Sequence, residues 1–306
     1  MEGKPVAVIG ASRGTGLQCV LALARKKIPC RAVARDVSAC QSAVFAALQA
    51  PLRKYVVFHK ADVTEPGTLL SAVQGCQGVI NCATASAWWR LPFQEDINTP
   101  PHVDYHGAVA VAGACAAAKV PRYVMVSSAA VNRPQDWFHM QRNALCGRIM
   151  DWKLLGEQGT VKVLDAVSSS SASQPLSLTI VRPGALTDDA AGGPGSILVE
   201  AGAGPSGAGG GESLSGSLPR ADLASICVEA VFNQDAKGLV FEVVSGKQGG
   251  NYPTCSNFEQ VFTSLRHGHL PVTSTSCLQG GLGAVGITAL CGVQAGEYGD
   301  SSFRAC

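Results

Sequence analysis

Short β-branched runs alternate with stretches of helical period along most of this chain, and that alternation restricts its fold more than any other feature. Pro5-Val6-Ala7-Val8-Ile9 is an apolar run, after which Leu17, Val20, Leu21 and Ala24 repeat at helical spacing. Residues 30–35 and 55–62 read as the next strands, with a helix over 39–49 between them. The spacing then predicts a helix over 66–73, a strand over 78–83, a helix over 108–119 and a strand over 122–128. A long helix over 144–157 leads to a strand over 178–182, which Pro183-Gly184 stops; 218–232 returns to helix, 239–244 to strand and 257–266 to a last helix. Strand–helix–strand units of this kind cross over with a right-handed sense and build a parallel sheet. The expected architecture is α/β, a doubly wound parallel sheet with a small C-terminal lobe.

Two stretches break the pattern. Residues 166–175 carry a serine run and read as a flexible surface insertion. Residues 192–216 are glycine-rich and read either as a lid over a strand's carboxyl end or as a plain disordered connection. The expected domain is 1–266, and residues 267–306, rich in Gly, Ser and Thr without periodicity, are expected to be an irregular tail.

Composition narrows the partners. With 46% apolar and 15% charged residues in 306, the chain is long enough for one large α/β domain or two small ones. A net charge of +2 with no basic run argues against nucleic acid, and no segment reaches the ~18 apolar residues of a membrane span. The first strand begins by residue 5, so the chain as it stands is expected in the cytoplasm, or in the chloroplast if a transit peptide has been removed. Twelve cysteines are spread through core-like segments without C-x-x-C pairs or zinc spacing, so Cys19, Cys30, Cys76, Cys82, Cys115 and Cys227 are expected as buried free thiols and no metal is expected.

Between the first strand and the first helix lie Gly10-Ala11-Ser12-Arg13-Gly14-Thr15-Gly16. Glycines at a strand-to-helix turn permit the tight bend and let a phosphate reach backbone N–H groups at the positive end of the helix, although an ordinary turn uses glycine too. In this βαβ setting the pattern is that of a Rossmann dinucleotide site. The end of the second strand is where the adenosine ribose is read: an acid there bonds a 2′-hydroxyl, an arginine a 2′-phosphate. Arg35 holds that place, and Arg13 in the turn offers a second guanidinium. The expected cofactor is therefore NADP, with NAD the alternative if Asp36 takes the ribose. Asp62 and Val63 are expected to flank the adenine, and Asn81, Cys82 and Ala83 to lie where the cofactor crosses the sheet.

Taken in order, the glycine turn, Asp62-Val63, Ser127-Ser128, Trp152-Lys153 with Glu157, Val181-Arg182-Pro183-Gly184 and Pro219-Arg220-Ala221-Asp222 resemble the short-chain dehydrogenase/reductase superfamily. Within it, the segments DWKLLGE and TIVRPGALTDD resemble the atypical NAD(P)-binding members of plants and algae. That subgroup usually spaces its glycines Gly-x-x-Gly-x-x-Gly, whereas Gly10-x-x-x-Gly14-x-Gly16 follows the commoner enzymes. The resemblance implies a lysine that holds the nicotinamide ribose, a tyrosine one helical turn before it that passes the proton, and a serine that orients the carbonyl. Lys153 and Ser128 match as catalytic positions, with Ser127 beside them on the cofactor side. The tyrosine position is Ile149, which carries no proton. Pro183 and Gly184 are expected to face the carboxamide, and Asp222 to cap the helix it begins.

Two functions follow. One is an NADP(H)-dependent oxidoreductase or isomerase whose proton comes from water, Ser128 or one of His59, His102, His106 and His139. The other is a non-catalytic NADP(H)-dependent, redox-sensing scaffold or assembly factor with a protein partner.

Overall fold

The computed structural model describes residues 3–85, 98–170, 176–204, 214–246 and 255–267. Its first half runs β1 (Val6–Ile9), α1 (Gly14–Arg25), β2 (Cys30–Ala34), α2 (Val37–Ala47), β3 (Val56–Lys60), α3 (Leu69–Val73) and β4 (Gly78–Asn81). A π-helical turn over Pro101–Gly107 then enters α4 (Ala108–Ala117), followed by β5 (Arg122–Val126), α5 (Trp137–Leu145) and α6 (Ile149–Ser170). The remainder is β6 (Ser177–Pro183), β7 (Ala185–Thr187), β8 (Ile197–Ala201), β9 (Ser217–Pro219), α7 (Arg220–Phe232), β10 (Val240–Ser245) and α8 (Phe258–His267).

Eight strands form one sheet in the order β3-β2-β1-β4-β5-β6-β10-β8, parallel except for the edge strand β8. The strand order reverses between β1 and β4. In such a sheet the crevice outside the carboxyl ends of the strands, at that reversal, is where ligands bind. Alternation along β1 shows why the sheet is buried on both faces. Val6 and Val8 join one core with Cys19, Leu23, Ile226 and Phe262, whereas Ala7 and Ile9 join the other with Val79, Val111, Cys115 and Tyr123. The C-terminal part adds β10 and β8 to the same sheet and sets β7 and β9 aside as a two-stranded ribbon.

Three sequence expectations change. The serine run does not leave the helix at 166: α6 continues through Ser170, with the Ser168 and Ser169 hydroxyls donating to the carbonyls of Leu164 and Asp165 one turn back. That helix also starts at Ile149, not at 144, since Gly147 and Arg148 take φ of 61° and 59° and separate it from α5. The glycine-rich stretch 192–216 contains a strand, β8, whose run Ile197-Leu198-Val199 is flanked by glycines that hid it. Residues 171–175, 205–213 and 268–306, where the rest of the insertion, the lid and the tail were placed, lie outside the described residues.

Candidate functional site

The glycine turn is shaped by two close approaches. Gly10 has φ of 78°, and a Cβ on it would lie 3.0 Å from the backbone nitrogen of Ala83; a Cβ on Gly16 would lie 2.1 Å from the carbonyl oxygen of Gly10. Neither position admits a side chain, so the first turn of α1 packs against the turn that leaves β1. Helix α1 has no side-chain cap and no acid in its first turn, whereas α2 and α5 are capped by Asp36 and Asp136. Its first-turn N–H groups, which have no partner within the helix, suit an anion.

Above this turn opens a cavity of about 530 Å³ lined by Gly10, Ser12, Arg13, Gly14 and Thr15, by Arg35, by Asp62 and Val63, and by Cys82 and Ala83. A second cavity of about 380 Å³ shares Thr15, Cys82, Ala83, Leu186 and Arg220 with the first, so the two make one cleft. Ser127, Ser128, Ile149, Lys153, Pro183 and Gly184 line the second part. Two expected cofactor residues stand behind the wall. Gly16 serves the packing just described. Asn81 is buried, donating to the Tyr123 hydroxyl at 3.1 Å and accepting from the Ala83 N–H at 3.1 Å, so it shapes the strand end without lining the cleft.

At the adenosine end Arg35 is half exposed and its Nε lies 3.8 Å from an Asp62 carboxylate oxygen. Asp36 is occupied differently: its carboxylate accepts the Ala39 N–H at 2.9 Å as the cap of α2. At the other end Lys153 Nζ lies 2.7 Å from Oδ1 of Asp104, which also accepts from the Thr84 hydroxyl and the Ala85 N–H. Asp104 comes from the π-helical turn, and α6 approaches it closely because residue 156 is glycine; a Cβ there would meet the Asp104 carbonyl oxygen at 2.1 Å. One turn beyond Lys153, Glu157 pairs with Arg182 of β6 through two bonds, of 3.1 and 2.7 Å, with both side chains fully buried. This pair clamps α6 to the sheet beneath the cleft.

Sequence reading missed the part played by Arg220. Its Nε lies 3.6 Å from where a side chain on Gly14 would begin, it lines both cavities, and it donates to Asp188 at 2.8 Å. The signal was an arginine opening a helix after Pro219, noticed only as a motif. Asp222 does not cap α7; its buried carboxylate accepts the N–H groups of Gly192 and Gly193 at 2.8 and 3.0 Å and ties that loop down.

Among the described residues no tyrosine and no histidine lines the cleft. Tyr123 lies in the sheet, where burial pushes its hydroxyl well above the usual range, and Tyr105 stacks on Trp152 and meets His106 at a tilt. His139 is buried at the elbow of α5 and α6, bonded to the Ala130 carbonyl, Asn143 and Asp151. His59 bonds Ser71 and His102 bonds Thr99. The nine described cysteines are free thiols; Cys82 is the one not fully buried. Burial raises the thiols of Cys30 and Cys115, and Cys40 is pushed up to about 11. Among the described residues no group of His, Cys, Asp or Glu is arranged to hold a metal ion, and no helix is long and apolar enough to cross a membrane.

A dinucleotide fits this cleft on the residues present. The glycine cradle has no room for side chains, basic groups stand at Arg13, Arg35 and Arg220, and the buried Ser127 hydroxyl, on the second cavity's wall, has no hydrogen-bond partner among the described residues.

Comparison with known proteins places the chain. The NAD(P)H-binding family matches residues 10–234. An uncharacterized chloroplastic protein of Arabidopsis thaliana, At2g34460, is 30% identical over 87% of this chain and 84% of its own length. The oxidoreductase ylbE of Lactococcus lactis has the same fold, with a TM-score of 0.60 and 21% identity over 87% of this chain and 98% of its own. A short-chain dehydrogenase/reductase of Veillonella parvula, solved with NADP, gives a TM-score of 0.54 and 15% identity over 83% of this chain and 99% of its own. With its glycine turn, its reversal point and a family match over residues 10–234, the chain belongs to the NAD(P)H-binding family.

Proposed function

We propose that the chain is an NADP(H)-dependent reductase of a small organic molecule, and that the proton it uses does not come from a tyrosine. The observation that carries this reading is the single cleft that joins Arg35, the glycine turn and Lys153, with Asp36 held away as a helix cap. When bound, the cofactor supplies a hydride. Arg35 and Arg13 would hold the 2′-phosphate, and Arg220 with the first turn of α1 the pyrophosphate. Lys153, fixed by Asp104, would hold the nicotinamide ribose, and Pro183-Gly184 would present backbone groups to the carboxamide. Ser127 and Ser128 offer hydroxyls to the reacting end of the substrate, and water completes the proton supply through Ser128. In this reading the working unit is 1–266, with 267–306 outside it. The compartment of the Arabidopsis relative favours the chloroplast over the cytoplasm.

A second reading has one observation in its favour. Ile149 lines the cleft at the tyrosine position, which is what a cofactor-sensing scaffold without chemistry requires. The test is to titrate the protein with NADPH and NADH, and then follow NADPH oxidation over a panel of enones, quinones and imines. Tight NADPH binding with turnover of any acceptor supports the reductase. Tight binding without turnover supports the scaffold, and no binding of either nucleotide removes both.

A further inference from the structure

The segment from Asp188 to Gly193 is held at both ends by the first turn of α7, and the two attachments differ in kind. At its far end the buried Asp222 carboxylate accepts the Gly192 and Gly193 N–H groups at 2.8 and 3.0 Å. At its near end stands an ion pair. The ribbon sets Thr187 of β7 opposite Pro219 of β9 in parallel register, so Asp188 and Arg220, next along each strand, come out side by side. Arg220 donates to Asp188 at 2.8 Å, with the Asp188 side chain 86% and the Arg220 side chain 26% exposed. Losing the partners of a buried carboxylate carries its full desolvation penalty, whereas an exposed ion pair is worth little. The far attachment is therefore fixed and the near one exchangeable.

The exchangeable attachment lies on the first cavity. Asp188 and Arg220 both line it, together with Gly10, Ser12 and Gly14. Arg220 Nε is 3.6 Å from where a side chain on Gly14 would begin, which puts the guanidinium over the start of α1. Two acids line this cavity among the described residues. Asp62 belongs to the adenosine end beside Arg35, and Asp188 is paired with the guanidinium at the glycine turn.

Resting on the cofactor placement proposed above, we infer that Asp188 is an internal competitor for Arg220 and sets how tightly the site holds a diphosphate. Its carboxylate sits on the guanidinium that the nucleotide's pyrophosphate takes. Binding then exchanges one ion pair for another. The pyrophosphate oxygens accept from Arg220, Asp188 turns fully into the solvent that most of its side chain already meets, and the Asp222 bonds keep the segment on α7. Affinity falls by the worth of the lost pair, for NADPH and NADH alike, because both carry the pyrophosphate.

The experiment titrates inorganic pyrophosphate, NADPH and NADH by calorimetry into wild type, Asp188→Asn, Arg220→Ala and the double variant. Asp189→Asn is the control, since Asp189 is the adjacent exposed acid and carries the same charge. Asp188→Asn should bind each ligand that wild type binds about threefold more tightly, the order set by an exposed ion pair. In the Arg220→Ala background the same substitution should change nothing, and Asp189→Asn should keep the wild-type affinities. Weaker or unchanged binding in Asp188→Asn would overturn the inference, because the carboxylate would then steady Arg220 for the ligand or play no part. Tightening that persists without Arg220, or that Asp189→Asn matches, would overturn it as well, since like-charge repulsion needs no exchange of partners. If pyrophosphate binds and neither nucleotide does, the cofactor reading falls, and the pyrophosphate affinities still decide the exchange. Binding of none of the three overturns both.

Discussion

Lys153 reaches its place at the cleft through Asp104, a fully buried carboxylate 2.7 Å from its ammonium, and the two stand on different elements, α6 and the π-helical turn. Among the described residues, removing the cation leaves Asp104 the Thr84 hydroxyl and the Ala85 N–H as its donors. Lys153→Met should therefore cost roughly 3 kcal/mol of stability, since an uncompensated buried charge outweighs the loss of the pair itself. The double variant Lys153→Met/Asp104→Asn should recover most of it. Urea unfolding of the two singles and the double checks this, and strict additivity would show that the residues do not act as a pair.

The cofactor's two phosphate-bearing regions should be separable by mutation. If Arg35 holds a 2′-phosphate as proposed, Arg35→Asp should weaken NADPH by about 100-fold while changing NADH little, as befits one or two charge-assisted bonds. On the proposed placement of Arg220 at the pyrophosphate common to both nucleotides, Arg220→Ala should weaken each by about tenfold. Calorimetric titration of both nucleotides into both variants gives four affinities. Equal losses of NADPH and NADH in Arg35→Asp would remove the case for a 2′-phosphate contact there.

Much of this arrangement is legible in the sequence. Strand positions came from β-branched runs and helices from their period, because a parallel sheet buries each strand on both faces and leaves an unmixed apolar signal. The run of β8 was hidden among glycines, since an antiparallel edge strand is half buried and short. Partnerships were less legible. Nothing in the spacing joins Lys153 to Asp104, 49 positions away, or Gly14 to Arg220, because those contacts depend on how α6 and α7 cross the sheet. Asp222 looked like a cap on local grounds and is instead claimed by a loop about 30 residues earlier in the chain.

The Glu157–Arg182 pair is doubly bonded and has no exposure, so it holds α6 against β6 in a place water does not reach. Glu157→Gln should lower stability by about 3–5 kcal/mol, because it removes the carboxylate charge that pairs with the buried Arg182 guanidinium. Replacing both, as Glu157→Leu with Arg182→Met, should restore most of that loss. Guanidinium denaturation distinguishes the cases. If the double apolar variant is as unstable as the single, the pair contributes through geometry that apolar packing cannot replace.

The elbow between α5 and α6 predicts a pH effect. Burial by itself raises the Asp151 carboxyl, but bonds from Asn143, Arg148 and His139 outweigh it and the net direction is down. The folded state thus keeps Asp151 charged at a pH where the unfolded chain already binds a proton. Its contribution is complete above the ordinary carboxylate value of about 4 and is lost as pH falls through that range towards the lower folded value. Asp151→Asn carries no such charge. The stability difference between wild type and Asp151→Asn should therefore be largest near neutral pH, below roughly 1 kcal/mol for a part-exposed group, and should shrink on acidification. Because His139 ties the same cluster to the Ala130 carbonyl, two residues beyond Ser128, loss of the cluster should also loosen the loop at the floor of the cleft. Urea titrations of both proteins across the acid range measure the first effect, and amide exchange at residues 128–131 measures the second. A difference that stays constant with pH would show that shape, and not charge, is what Asp151 contributes.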